Sequence, residues 1–233
     1  MIKRLVALGL IAGAAVSAEQ SQPPYLFLRL NTPHGLVTLA PGRPAEVPNN
    51  QRISLQICVK AKTVADRFEQ PEIRALNQHP DYYKVRPPAN IMLSVRRVTA
   101  GSRQEVPFRV NSSGGGKDLA IWYVSADIDL LEDKDVRLKR AGQFVEWMAA
   151  QVPEDARARL LSGPIGRGSL VSYFEEQYIN NPPGDYEIIA RYTPSSPQNW
   201  KGSLVMPPVR IKVTDNGDFF DGLKAKLAAG RNR

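Results

Sequence analysis

The residues best suited to chemistry in this 233-residue chain are carboxylates. The run DIDLLEDKD gathers Asp127, Asp129, Glu132, Asp133 and Asp135, and a hard cation such as calcium takes several oxygen ligands of this kind. The run lacks the glycine and the distal glutamate of an EF-hand loop. Two readings therefore stand: a calcium site on Asp127, Asp129 and Asp133, or a solvated loop that runs into a helix start, where aspartate is favoured anyway. Glu175 and Glu176 are a second supply. They are neighbours on a segment that reads as a strand, which would point them to opposite faces and make a poor acid and base pair. An enzyme built on these groups would need carboxylates brought together from separate loops, for instance one from residues 127–135 and one from Glu175 or Glu176.

Other catalytic sets are thin. Histidine, the commonest general base, occurs only as His34 and His79, each beside a proline in a turn-like context. Neither H-E-x-x-H nor G-x-S-x-G is present, and GRGS at Gly166 has too few glycines and no following lysine for a phosphate cradle. No cofactor is called for. Aromatic side chains are the remaining lead: Trp200 and Tyr192 flank the last hairpin, and Tyr82 and Tyr83 stand beside Lys84 and Arg86. Rigid flat rings bury area at low entropic cost, which suits glycan- and protein-binding surfaces. The competing reading is that they pack in the core.

The elements that must position these groups read mainly as strands. Residues 25–30 and 35–40 are strand-like around a turn, and 51–60 alternates, with Ile53, Leu55, Ile57 and Val59 on one face and Ser54, Gln56, Cys58 and Lys60 on the other. Residues 90–98 repeat the pattern and 105–110 read as a short return strand, followed by a flexible loop at NSSGGGKD. Residues 119–128 are apolar on both faces and predict a doubly covered strand around Trp122. Residues 168–179 and 186–192 read as further strands, and 209–213 closes the sheet after Pro207 and Pro208, which lack N–H donors and predict an edge or a bulge.

Two interruptions read as helical. Residues 61–80 look like short helices, the second opening at Pro71 with Ile73 and Leu76 on it. From about 135, Ala141, Phe144, Val145, Met148 and Val152 recur at helical spacing, and PEDARARLLSG begins a second helix after Pro153 with acids first and Gly163 past its end. This insertion is expected to roof the strand around Trp122. The C-terminal DFFDGLKAKLAAGRNR predicts a short amphipathic helix with Phe219, Phe220, Leu223 and Leu227 on one side, docked on its own domain.

The chain opens with Lys3 and Arg4, an apolar run over 5–16 and the small-residue pattern Val16, Ser17, Ala18. That order reads as a secretory signal peptide cut after Ala18. The run is well short of the roughly 20 residues of a membrane span, and no transmembrane segment is expected. The net charge of +8 falls to +6 with the leader removed, a surface mildly attracted to anionic partners. No Lys/Arg run with interleaved aromatics appears, which speaks against nucleic acid. Cys58 is the single cysteine, so stability must come from the core and not from an internal disulfide. Its thiol is expected to be a small buried hydrophobe, with an intermolecular disulfide or a metal contact as alternatives.

Gly184, Asp185 and Tyr186, followed by an alternating strand, resemble the tyrosine corner of exported immunoglobulin-like and fibronectin-like sandwiches, and the final hairpin ending V-x-I-x-V is similar to the close of such domains. The resemblance covers about the last fifth of the chain closely. It implies an immunoglobulin-like antiparallel β-sandwich in which the Tyr186 hydroxyl bonds back to the preceding loop. Where antibody-type domains carry their second cysteine, Ile188 stands, so that disulfide is absent. Taken together the sequence predicts a mainly β chain: a leader over 1–18, one sandwich over 19–215 with a helical insertion at about 135–163, and a helical tail over 216–233. Its expected role is an exported, periplasmic or secreted, non-catalytic binding or structural module of the cell envelope, with an envelope protein or a glycan as partner. The alternatives are the loop-assembled carboxylate enzyme and calcium-dependent adhesion.

Overall fold

Alternation becomes sheet wherever one face can be buried. The computed structural model describes residues 25–60, 73–75, 91–118, 121–130, 133–163, 166–193 and 203–231. Within them the chain is mainly β, with two sheets and four helices. In chain order the elements are β1 (Tyr25–Thr32), β2 (Gly35–Thr38), β3 (Ala45–Pro48), β4 (Ile53–Lys60), β5 (Ile73–Ala75), β6 (Ile91–Thr99), β7 (Ser102–Glu105), β8 (Phe108–Asp118) and β9 (Ile121–Leu130). There follow α1 (Lys134–Ala149), α2 (Glu154–Ser162), α3 (Arg167–Gln177), β10 (Gly184–Tyr192), β11 (Leu204–Val205), β12 (Val209–Thr214) and α4 (Phe219–Arg231).

One sheet runs β2-β1-β4-β9-β8 and the other β3-β12-β10-β6-β5, with β7 beside β6 and β11 beside β10. All pairs are antiparallel except β3 with β12 and β5 with β6. Leu28, Ile57 and Ile128 of the first sheet share one apolar core with Leu93, Ile188 and Ile211 of the second. A buried side chain of this size contributes about 1.5–3 kcal/mol relative to exposure. Pro207 and Pro208 do break the final strand, separating β11 from β12, and Met206 N–H bridges the break by donating to the Ala190 carbonyl.

At the head of β10, Tyr186 is buried and its Oη donates to the Pro182 carbonyl at 2.7 Å, while Arg97 Nη2 donates to the Pro183 carbonyl at 3.0 Å. Gly184 has φ +153°, and a Cβ there would lie 3.3 Å from Arg97 Nε, so glycine suits both the backbone and the fit.

An asparagine knot holds the end of the sandwich where the helices attach. Asn181, fully buried, accepts the Leu130 N–H on Oδ1 and donates Nδ2 to the Gln51 carbonyl, both at 2.8 Å, and its backbone N–H donates to the Asn49 carbonyl. Asn49 Nδ2 donates to Asn180 Oδ1 at 2.9 Å, and Asn49 Oδ1 accepts the Asn216 N–H at 2.8 Å. These bonds join four chain segments whose buried polar groups would otherwise be unsatisfied.

The helices carry an apolar centre of their own. Ala141, Phe144, Tyr178 and Phe220 are buried there, with Val171, Phe174 and Phe219 packed against them. Phe144 stacks on Phe220 at 4.5 Å, Phe220 on Tyr178 at 5.0 Å, and Tyr178 Oη donates to Asp218 at 2.7 Å. This docks the first turn of α4; Leu227, expected on the same apolar side, is exposed. Among the described residues no helix is long and apolar enough to cross a membrane.

Several expectations are corrected. NSSGGGKD is not a loop but the second half of β8, with a bulge between Ser112 and Gly114. Its glycines make room: a Cβ on Gly116 would sit 2.6 Å from Tyr123 Oη, so the tyrosine ring lies across the bare strand. Most of residues 168–179 fall in helix α3, which ends at Gln177, and not in a strand, because Val171 and Phe174, with the capping Tyr178, fall at helical spacing and pack into the aromatic centre. The helical insertion therefore extends to Gln177. Ile73 belongs to strand β5, not to a helix, and the rest of 61–80 lies outside the described residues, as does the leader. The helices meet the sheet at the Asp129 end and do not roof Trp122, which stands about 23 Å away along β9 with Lys117 Nζ over its ring.

Cys58 is buried on the outer face, in register between Phe27 of β1 and Tyr123 of β9, and so is withdrawn from any intermolecular disulfide. Burial pushes its thiol pKa from 9.0 up to about 11, against a smaller opposing pull from Arg29. Above pH 9 the unfolded chain gains by ionising this thiol while the native state does not, so the stability is full below pH 9 and falls as pH rises toward 11. Tyr186, raised mainly by burial, adds to the fall in the same direction. Urea denaturation across pH 8 to 11 should show it, Cys58→Ala should make it shallower, and a thiol reagent should label Cys58 only after unfolding.

Candidate functional site

Where the helices meet the sheet, charges alternate. Asp129 lies on the outer face of β9 and accepts from Arg109 of β8, its cross-strand partner, and from Arg137 Nη1 at 3.0 Å. Arg137, on α1, is 1 % exposed. Its Nε donates to Glu175 Oε1 and its Nη2 to the Glu175 carbonyl, both at 2.9 Å. The series Arg109, Asp129, Arg137, Glu175 pairs each charge with its opposite. That pairing is the condition for holding a guanidinium away from water, which otherwise costs several kcal/mol per ion.

In front of this relay lies a cleft of about 310 Å³ lined by Arg52, Arg109, Asn111, Asp127, Asp129, Glu176 and Gln177. Every lining side chain is polar. The period of two puts Asp127 and Asp129 on one face of β9, and the register sets Asn111 beside Asp127. Asp127 accepts from Ser54 Oγ at 2.6 Å and has Arg52 Nη1 at 3.9 Å. On helix α3 successive residues diverge by about 100°, so Glu175 turns to Arg137 while Glu176 turns to the cleft, exposed and without a hydrogen-bond partner among the described residues. A second depression of about 480 Å³, with Asn31, Thr32, Asn50, Gln51 and Ser54 on its wall, shares Arg52 with the first.

Of the residues read as calcium ligands, Asp127 and Asp129 line the cleft and Asp133 stands apart at the head of α1. Asp127 is held by Ser54, Asp129 by two arginines, and Asp133 caps α1 by accepting the Asp135 N–H at 2.8 Å. No group of three or more His, Cys, Asp or Glu side chains among the described residues stands together to hold a metal ion. Tyr192, read as a ligand-binding ring, is 1 % exposed in the core, because it shares the inward face of β10 with Ile188 and Ala190. Tyr82, Tyr83, Trp200 and His79 lie outside the described residues, and His34 is an exposed turn residue.

The cleft residues missed in the sequence are Arg52, Arg109, Asn111 and Gln177. Their signal is a pairing register: Arg109 and Asn111 face Asp129 and Asp127 across two strands, which no single segment displays. Arg137 did leave a local trace, a charge at the head of the apolar stripe Ala141, Phe144, Met148. Comparison with family models, with curated proteins and with solved structures returned no match.

Arg137→Ala should strand Glu175 in a dry site, leaving Asp129 to Arg109 alone, and cost about 3–5 kcal/mol, read as a fall in the denaturation midpoint. A double change that also neutralises the stranded acid, R137A with E175Q, should recover part of that loss and leaves the Arg109–Asp129 pair in place.

Proposed function

We propose that this chain is an exported, non-catalytic binding module of the cell envelope, built on an immunoglobulin-like sandwich, and that the cleft between sheet and helices binds a saccharide. The all-polar lining of the cleft carries the reading. Carboxylates accept hydroxyl hydrogens, guanidinium donates, and the amides of Asn111 and Gln177 do both, a set that matches a ligand dense in hydroxyl groups. Pockets for apolar ligands are lined instead by aliphatic and aromatic side chains.

The immunoglobulin-like assignment is supported by strand order. β1-β4-β9-β8 follows the A-B-E-D order of constant-type sandwiches and β12-β10-β6 the G-F-C order, with the helices inserted between E and F. The bond from Tyr186 to Pro182, just ahead of the penultimate long strand, is the geometry of a tyrosine corner. Export is supported by the charged, apolar and small-residue order of residues 1–18.

A second reading has an observation behind it: Asp127 from the sheet and Glu176 from α3 line one cleft, and a pair of carboxylates flanking a glycosidic bond is the requirement for hydrolysing it. The binding reading is preferred because Asp127 already accepts from Ser54 and lies by Arg52, and because Asp129 is engaged by two arginines.

Calorimetric titration with short neutral and uronic oligosaccharides should show saturable binding. Asp127→Asn and Asn111→Ala should each weaken it at least tenfold, about 1.4 kcal/mol, with melting temperature little changed. Absence of binding to any saccharide, or variants that bind like wild type, would falsify the assignment; release of reducing ends that stops in E176Q would move it to the hydrolase reading.

A further inference from the structure

Resting on the reading of the cleft as a saccharide site, we infer that its ligand is an acidic glycan chain that runs from the cleft along the outer face of the five-stranded sheet onto a ridge of two rings and two cations. The ridge lies on β1 and β4. Tyr25 and Phe27 pack ring to ring at 5.4 Å, Lys60 Nζ lies 5.6 Å from the Tyr25 centroid, and the Arg29 guanidinium lies 5.3 Å from that of Phe27. The order along the surface is thus cation, ring, ring, cation.

Register places ridge and cleft on the same face. Phe27 is opposite Cys58, and Cys58 opposite Tyr123; four residues further along the same strands, Ser54 is opposite Asp127 and bonded to it. From the row of Tyr25 and Lys60 to that of Asp129 and Arg52 is eight residues, about 26 Å of sheet. Ridge and cleft adjoin: Arg29 is opposite Gln56 and Gln56 opposite Ser125, one pleat before Ser54 and Asp127, and Gly114, paired with Ser125, has no side chain. A chain of several sugar rings can lie along this face; a single sugar fills only the cleft.

Charge selects the kind of chain. Each ring has a cation over it, Lys60 over Tyr25 and Arg29 over Phe27. Lys60 and Arg29 are paired with no carboxylate among the described residues. Tyr25 is 42 % exposed. The ridge therefore presents two cations that no carboxylate among the described residues neutralises, which suits carboxylate groups borne on sugars.

The test uses the purified chain and three probes, a galacturonate dimer, a galacturonate hexamer and the methyl-esterified hexamer, titrated at low salt. Wild type should bind the acidic hexamer at least tenfold more tightly than the dimer and than the ester. Tyr25→Ala and the pair Arg29→Gln with Lys60→Gln should each remove most of that gain and leave dimer affinity and melting temperature unchanged, whereas Asp127→Asn should weaken dimer and hexamer alike. A hexamer no tighter than the dimer, or a gain that survives both ridge changes, overturns this inference and leaves the cleft assignment standing. Failure to bind dimer and hexamer alike also overturns this inference, while the cleft assignment falls only if the neutral oligosaccharides fail as well.

Discussion

The fold's functional geometry depends on a guanidinium kept out of water. Arg137 carries its charge into the seam between helices and sheet, where Asp129 meets it from β9 and Glu175 from α3. Desolvation makes such a group a liability unless both flanking acids stay in place, so sheet, α1 and α3 are locked by mutual need and not by apolar contact alone. The aromatic centre of the helices binds them to one another; the charge relay binds them to the strands. Because Glu175 is spoken for, the turn of α3 aims Glu176 at the cleft, where Asp127 and Asp129 stand on the sheet side.

The two layers of side chain on the first sheet do separate tasks. The inner face, with Leu28, Ile57 and Ile128, supplies cohesion. The outer face runs from rings and cations at the Tyr25 end, through serine, glutamine and glycine, to acids, amides and arginine at the Asp127 end. Cys58 lies within this outer face yet is sealed from solvent, so the only thiol of the chain acts as filler.

Much of this was legible in the sequence where a single segment carries its own signal. The alternation over 51–60, 90–98 and 209–213 became β4, β6 and β12, the stripe from Ala141 became α1, and Phe219 with Phe220 marked the docked start of α4. Segments whose outcome depends on a distant partner were not legible. The glycines of 114–116 suggested a loop because the tyrosine that lies over Gly116 comes from another strand. Residues 168–179, rich in aromatic and β-branched residues, suited a strand until Phe144 and Phe220 provided a helical seat. The cleft needed a pairing register between β8 and β9 that neither strand announces, so its acids were named but its arginines and amides were not.

The helical excursion leaves the sheet at Leu130 and returns at Asn181, and the side chain of the second accepts the amide of the first. A detour whose ends are already buttoned imposes no separation on the strands it interrupts, and closure of a longer connection costs only slowly more with length. The sandwich can thus host three helices between β9 of one sheet and β10 of the other without redrawing its own wiring. The same stitch would accept a shorter or a longer passenger.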